Sequence, residues 1–358
     1  MNNNILDDLE KIKNLDKQDM LGVEENFMSQ LAEAKKIAES ADYKNLASLK
    51  FKGLAVLGMG GSGFSGDIIK SLTADRTQIP VEVVKGYEMP AYIAKGWLAV
   101  AVSYSGDTEE TIACVKQALQ RGCEIVFVSS GGKLKEIAAA NDKCHLQVPA
   151  GFQPRGASGY LFFSTYLMLS SIGIFKVSEA EIDETMEIIK RDAALYNRMQ
   201  STQSNPAKKL ALELKDKMPV IYGVNGFLSA VAYRWKCEIN ENAKCPAFFS
   251  EFPELNHNET VGWQNIRDIS REFILVIFRD PDASARIKTR IDTTVKIISN
   301  NLGGVIEINV RGRSSLAKAV STMYLGDMAS VYLALLYCVD PTPVERISVL
   351  KAELAKLD

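Results

Sequence analysis

Leu54-Ala55-Val56-Leu57-Gly58-Met59-Gly60-Gly61-Ser62-Gly63 is the stretch on which the reading of this chain turns. A short apolar run, the length of one buried strand, leads directly into glycines and a serine. Glycine lets the backbone come close to a ligand. Serine hydroxyls and the free N–H groups of a helix start offer donors to an anion. A second stretch has the same design: Trp97-Leu98-Ala99-Val100-Ala101-Val102 runs into Ser103-Tyr104-Ser105-Gly106-Asp107-Thr108. Two such turns on neighbouring parallel strands make one phosphate cradle. Its candidate ligands are Gly60, Gly61, Ser62, Ser103, Ser105 and Thr108.

Outward from these turns the chain alternates strand and helix. Strands are expected at 54–58, 81–85, 97–103, 124–129 and 144–148, which implies a parallel sheet covered on both faces. Residues 1 to about 50 read as a polar, mostly helical N-terminal arm. An apolar helix is expected from Ala157 to Ile174, and a long one with Ile182, Met186, Ile189, Ala193 and Tyr196 on one stripe. Asn205-Pro206 breaks the chain or starts a helix. The second half repeats the plan, with strands at 219–224, 246–250, 273–278 and 304–310, an amphipathic helix at 285–299, an apolar helix from Leu316 to Val339, and a charged terminal helix from Val344 to Leu357. Tyr222-Gly223-Val224-Asn225-Gly226 stands where the first phosphate turn stood but lacks its serine, as in a degenerate copy. The fold class is therefore α/β: two domains, 51–175 and 205–358, joined by a helix at 176–204.

Bulk properties narrow the function. The 358 residues are natural for two domains. The formal net charge of −2 gives no basic surplus of the kind nucleic-acid binding needs. Six cysteines at 114, 123, 144, 237, 245 and 338 form no CxxC pair, which fits a reducing, cytoplasmic setting. With only His145 and His257, a His-rich metal site is not expected. The N-terminus lacks the apolar core of a signal peptide, and the longest apolar stretch, Val331 to Val339, is too short to span a bilayer. Gly58-x-Gly60-x-x-Gly63 also fits the dinucleotide fingerprint, but the next strand ends at Lys85 and Gly86, without the acidic residue that holds a ribose. No cofactor is expected.

The two turns resemble those of the sugar isomerase (SIS) domain, which hold the phosphate of a phosphosugar. Further stretches are similar to the bifunctional phosphoglucose/phosphomannose isomerases: Pro154-Arg155, Asn240-Glu241-Asn242-Ala243-Lys244, Glu251-Phe252-Pro253-Glu254-Leu255-Asn256-His257-Asn258 and Asp340-Pro341-Thr342-Pro343. The resemblance covers nearly the whole chain beyond the N-terminal arm. It implies two SIS-type domains, a sugar-phosphate substrate, and a homodimer in which the His257 loop reaches the partner subunit's active site. It implies Glu241 and His257 as the catalytic pair, Thr342 as a substrate-site threonine, and a C-terminal lysine. That lysine is assigned to Lys351, with Lys356 as the alternative.

Elementary chemistry agrees. Aldose–ketose isomerisation moves a proton between adjacent carbons, a task for a carboxylate whose burial raises its proton affinity. A glutamate at a helix end is most often a solvated charge, and a loop histidine a solvated ring. The resemblance is what assigns Glu241 to proton transfer and His257 to ring opening. Arg155, at the carboxyl end of the first sheet, suits stabilisation of an enediolate oxygen. Glu251 and Glu254 read as residues that shape the histidine loop, and His145 as structural. Two other readings make different demands on the chain. A phosphosugar sensor of this fold would carry a DNA-binding domain, and an aminosugar-forming transferase an ammonia source; neither is visible.

Overall fold

A computed structural model describes residues 5–357. Strands β1 (Gly53–Leu57), β2 (Val81–Val84), β3 (Trp97–Val102), β4 (Glu124–Ser129) and β5 (His145–Gln147) form one parallel sheet in the order β2-β1-β3-β4-β5. Leu54 pairs with both Val81 and Leu98, which places β1 inside the sheet. Its five residues are all buried, and so are the six of β3. This is why both read as unbroken apolar runs. The winding direction reverses between β1 and β3. A crevice opens at such a reversal, outside the carboxyl ends of the strands. The two hydroxyl-rich turns follow these two strands.

The second sheet holds β6 (Met218–Val224), β7 (Phe248–Phe252), β8 (Phe273–Arg279) and β9 (Val305–Asn309) in the order β7-β6-β8-β9, again all parallel. The plan recurs with one strand fewer. After β6 a tight turn leads into the helix Phe227–Asn242. A Cβ at Gly223 would lie 2.5 Å from the Leu228 carbonyl oxygen, so the degenerate turn keeps the glycine for packing. The expected strand at 246–250 lies two residues later. The chain turns through left-handed Lys244 (φ 59°) and Pro246, and only then pairs, Phe248 opposite Val220.

Three other expectations change. The Ala157–Ile174 helix is not uniform: a 3₁₀ turn (Arg155–Ala157) and a wider π turn (Gly159–Phe163) precede the α-helix Ser164–Ser171. The N-terminal arm is helical but far from polar throughout. Leu21, Phe27, Leu31 and Ala34 are fully buried in the main core, and Phe27 stacks on Tyr324 at 5.2 Å. Spaced among charged residues, these apolar positions are a narrow stripe that composition hides. The third concerns length: the expected apolar helix is present as Ser315–Leu336, but its apolar span is long enough to cross a membrane, not too short, and it is enclosed by protein. It packs against helices Phe227–Asn242, Glu179–Tyr196 and Pro206–Leu214. Asn205 caps the last of these, accepting from the Ala207 and Lys208 amides. Helix Phe227–Asn242 also packs on Gly60–Thr73 and so binds the two halves together.

Gly326 is where the central helix meets Trp235. A Cβ there would lie 2.1 Å from the indole Nε1, which donates to the Thr322 carbonyl at 2.9 Å. Gly326→Ala gains about 1 kcal/mol of helix propensity but incurs overpacking of about 1–3 kcal/mol against a buried, hydrogen-bonded ring. The expected net effect is destabilisation, read as a lower urea midpoint with an unchanged slope. A raised midpoint would contradict this packing.

Candidate functional site

The two phosphate turns are joined to each other. Met59 is extended, Gly60 is left-handed (φ 53°), and the helix Gly60–Thr73 starts at once. The buried Ser62 hydroxyl accepts from the Tyr104 amide at 3.2 Å, linking the first turn to the second. In the second turn the Ser103 and Thr108 hydroxyls lie 2.8 Å apart, and Ser103 Oγ accepts from the Gly106 amide at 3.2 Å. Ser103 is wholly buried, so this pair fixes the turn's shape. Ser105 is exposed, accepts from the Asp107 amide, and leaves its own O–H free to donate. A helix, Glu109–Gln120, begins immediately after Thr108. Two helix N-termini with hydroxyls between them are an arrangement suited to an anion, with the hydroxyls already fixed by hydrogen bonds.

The first turn also touches the arginine segment. A Cβ at Gly61 would lie 3.2 Å from the Pro154 carbonyl oxygen and 3.3 Å from Arg155 Cα. Glycine here permits backbone-to-backbone approach. Arg155 itself is 2% exposed. Its Nε donates to Asn242 Oδ1 at 2.6 Å, and its Nη2 to the carbonyls of Pro341 (2.8 Å) and Thr342 (2.9 Å). Nη1 lies 3.5 Å from Glu241 Oε2. One side chain of the first half thus holds a helix end and a C-terminal loop of the second.

Glu241 sits in the last turn of helix Phe227–Asn242, where the sequence placed it. Burial and the like charge of Glu238 push its carboxyl upward, while Arg155 opposes them. That is the combination a proton-transferring carboxylate needs. It borders a cavity of about 620 Å³ with Asn240, Lys244, Asp340, Pro343 and Glu345. Beneath lies a buried charge network. Asn242 Nδ2 donates to Glu238 Oε2 at 3.0 Å, and Glu238 pairs with Arg234 at 3.1 Å. Arg234 also grips Asp327 and donates to the Arg155 carbonyl at 3.0 Å. Burial pushes Asp327 up to about 7. The N-terminal segment adds Glu24, raised further by burial and by Asp327 and Glu238.

Arg155, Glu241 and Thr342 therefore come together. Thr342 is buried, and its Oγ1 has no hydrogen-bond partner among the described residues. His257 does not join them within one chain: it is exposed, at the end of the 3₁₀ turn Glu254–His257. Lys351 is exposed on the helix Glu345–Leu354, outside the cavity lining, and Lys356 pairs with Glu353 at 2.7 Å. Glu251 accepts from Ser229 and Asn225, and Glu254 from Asn258, so both shape loops. His145 shares a 2.8 Å hydrogen bond with Ser129, and burial lowers its proton affinity, in keeping with a structural role.

Asn242, Lys244 and the Arg234–Asp327 pair escaped the sequence reading. Asp327 offered a signal, as an acid in the middle of an otherwise apolar helix, since a lone buried charge demands a partner. Arg234 and Glu238, at i and i+4, offered another. Arg155→Lys tests the clamp. One ammonium cannot satisfy the Asn242, Pro341 and Thr342 oxygens together, and each buried group left unmet costs about 1–3 kcal/mol. A drop of about 2–4 kcal/mol in unfolding free energy is expected; an unchanged urea midpoint would show that Arg155 does not bridge the halves.

Residues 50–177 match the SIS domain family, and residues 203–354 match the bacterial phospho-glucose isomerase C-terminal SIS domain. A bifunctional phosphoglucose/phosphomannose isomerase of Caldicellulosiruptor bescii is 37% identical over 332 residues, covering 93% of this chain and 98% of its own length. One from Aquifex aeolicus is 35% identical, covering 86% and 91%. A crystal structure of a hypothetical protein from Thermus thermophilus superposes with a TM-score of 0.73 at 14% identity, over 94% of this chain and 90% of that one, which shows a shared fold. Paired SIS domains and identity sustained over almost the full length place this chain in the bifunctional phosphoglucose/phosphomannose isomerase family.

Proposed function

We propose that this protein interconverts glucose 6-phosphate or mannose 6-phosphate with fructose 6-phosphate through a cis-enediol. The observation that carries the reading is Glu241: a carboxylate of raised proton affinity, at a cavity, 3.5 Å from a buried guanidinium. In this reading Gly60, Gly61, Ser62 and Ser105 line the phosphate site, and the Ser103–Thr108 pair shapes the turn that completes it. Glu241 takes the C2 proton and returns it to C1. Arg155 Nη1, the one guanidinium nitrogen without a backbone or amide partner among the described residues, faces the negative oxygen that develops. C2 is planar in the enediol, so both aldoses reach the same intermediate. The buried Thr342 hydroxyl has no hydrogen-bond partner among the described residues, which supports a role for it toward a sugar oxygen.

Ring opening falls to His257, with Lys351 or its alternative Lys356. The exposure of His257, outside the lining of the cavity at Glu241, supports a homodimer in which the His257 loop completes the partner subunit's site. The working domain borders are 51–175 and 205–358, with 1–50 as the helical arm and 176–204 connecting. Six free thiols fit a cytoplasmic setting.

Glu241→Gln keeps the shape and removes the base, so kcat is expected to fall by about 10²–10⁴ with little change in KM. A wild-type rate in this variant would remove Glu241 from the mechanism. In the wild type, Glu241 must be ionised to act. Because its carboxyl is raised, kcat/KM is expected to fall with decreasing pH at a midpoint above the usual carboxylate range; a midpoint at the ordinary glutamate value would count against its burial. Mixed Glu241→Gln and His257→Ala homodimers are expected to regain activity after subunit exchange. No recovery would mean that each site draws both residues from one chain. Activity is expected to survive EDTA, and loss reversed by zinc would overturn the metal-free scheme.

A further inference from the structure

Lys244 is the one lysine on the wall of the cavity that Glu241 borders. Its backbone is left-handed (φ 59°), a conformation that non-glycine residues hold only where their surroundings enforce it. The side chain is what enforces it. Lys244 Nζ donates to the carbonyl oxygen of Glu241, an acceptor that the end of helix Phe227–Asn242 leaves open, and to the Pro341 carbonyl at 2.8 Å. The same Pro341 oxygen accepts from Arg155 Nη2 at 2.8 Å. Two cations therefore converge on one carbonyl, on either side of the residue read as the base.

We propose that Lys244 is a positioning residue of the isomerisation centre, locking the helix end that carries Glu241 to the Pro341–Thr342 segment beside Arg155. The proposal rests on the reading of Glu241 as the proton carrier. The lock needs the ammonium form, since a neutral amine donates more weakly to two carbonyls. The groups facing it are Arg155 from the 3₁₀ turn, Asp340 and Glu345 from the C-terminal segment, and Glu241 from the end of the preceding helix. The residue as a whole is exposed, but partial desolvation of its ammonium at the cavity wall and the Arg155 charge push Lys244 down to about 8, against the pull of the three carboxylates. The lock is complete below that pH and is lost as pH rises through it.

The test is the pH dependence of kcat and KM for the wild type, Lys244→Met, Lys244→Arg and Asp340→Asn, with melting temperatures measured alongside. The wild type is expected to lose kcat on the alkaline side with a midpoint near 8. Lys244→Met is expected to lower kcat at neutral pH by about tenfold or more, with KM within about threefold, and to remove the alkaline limb. Lys244→Arg should keep most of kcat and carry the limb to higher pH, because guanidinium does not titrate there. Asp340→Asn leaves Lys244 in place but removes a stabilising negative neighbour, so the limb should move to lower pH. The proposal is overturned if Lys244→Met keeps the wild-type kcat and limb. It is equally overturned if Met and Arg lose kcat alike with the limb unmoved, or if the limb ignores Asp340→Asn. If Glu241→Gln is inactive while the Lys244 variants leave the limb unmoved, the role of Lys244 falls and that of Glu241 stands; a fully active Glu241→Gln would sink the reading beneath both.

Discussion

A guanidinium shut off from water needs partners for its N–H groups, and Arg155 finds three of them on separate stretches of the chain, at Asn242, Pro341 and Thr342. An unpaired buried cation would be costly by several kcal/mol, so the two halves have to close around this side chain. Closure brings the Glu241 carboxylate to its remaining nitrogen. The same interaction therefore joins the two halves and builds the proposed reaction centre. Removal of one partner from such a set is expensive, whereas the complete set is modest in net worth.

The paired turns depend on that closure too. Gly61 rests against the Arg155 backbone, and Ser62 against the Tyr104 amide, so the proposed phosphate donors, guanidinium and base share one frame. A substrate held by its phosphate meets groups already in place. Orientation fixed in advance is a large part of what an active site contributes. The charge network below, Asn242–Glu238–Arg234–Asp327, keeps Arg155 from rotating out of that frame.

Both sheets were legible in the sequence because buried parallel strands are unbroken apolar runs, and Leu54–Leu57 and Trp97–Val102 are such runs. The hydroxyl-rich turns were legible because glycine and serine are required there for backbone reasons. Helix Phe227–Asn242 was placed well enough to put Glu241 at its end. What stayed hidden depends on pairings distant in sequence. Nothing local in Asn242 shows that its amide faces Arg155, 87 positions away. Nothing local in Lys244 announces a left-handed turn. The N-terminal arm looked polar because Leu21, Phe27 and Leu31 occupy one narrow face among charges. The strand beginning at Phe248 was set two residues early, since Pro246 and the Lys244 turn delay pairing.

The central claim is that one carboxylate, Glu241, carries a proton between adjacent carbons under the charge of Arg155. Its most direct test follows deuterium from C2 of glucose 6-phosphate into fructose 6-phosphate. A carboxylate that holds the deuteron briefly lets part of it escape, so the account predicts partial transfer to C1 and partial loss to solvent, both abolished in Glu241→Gln. Complete retention at C1 would indicate a direct hydride shift, and exchange that persists in Glu241→Gln would give the proton to another group; either result contradicts the account.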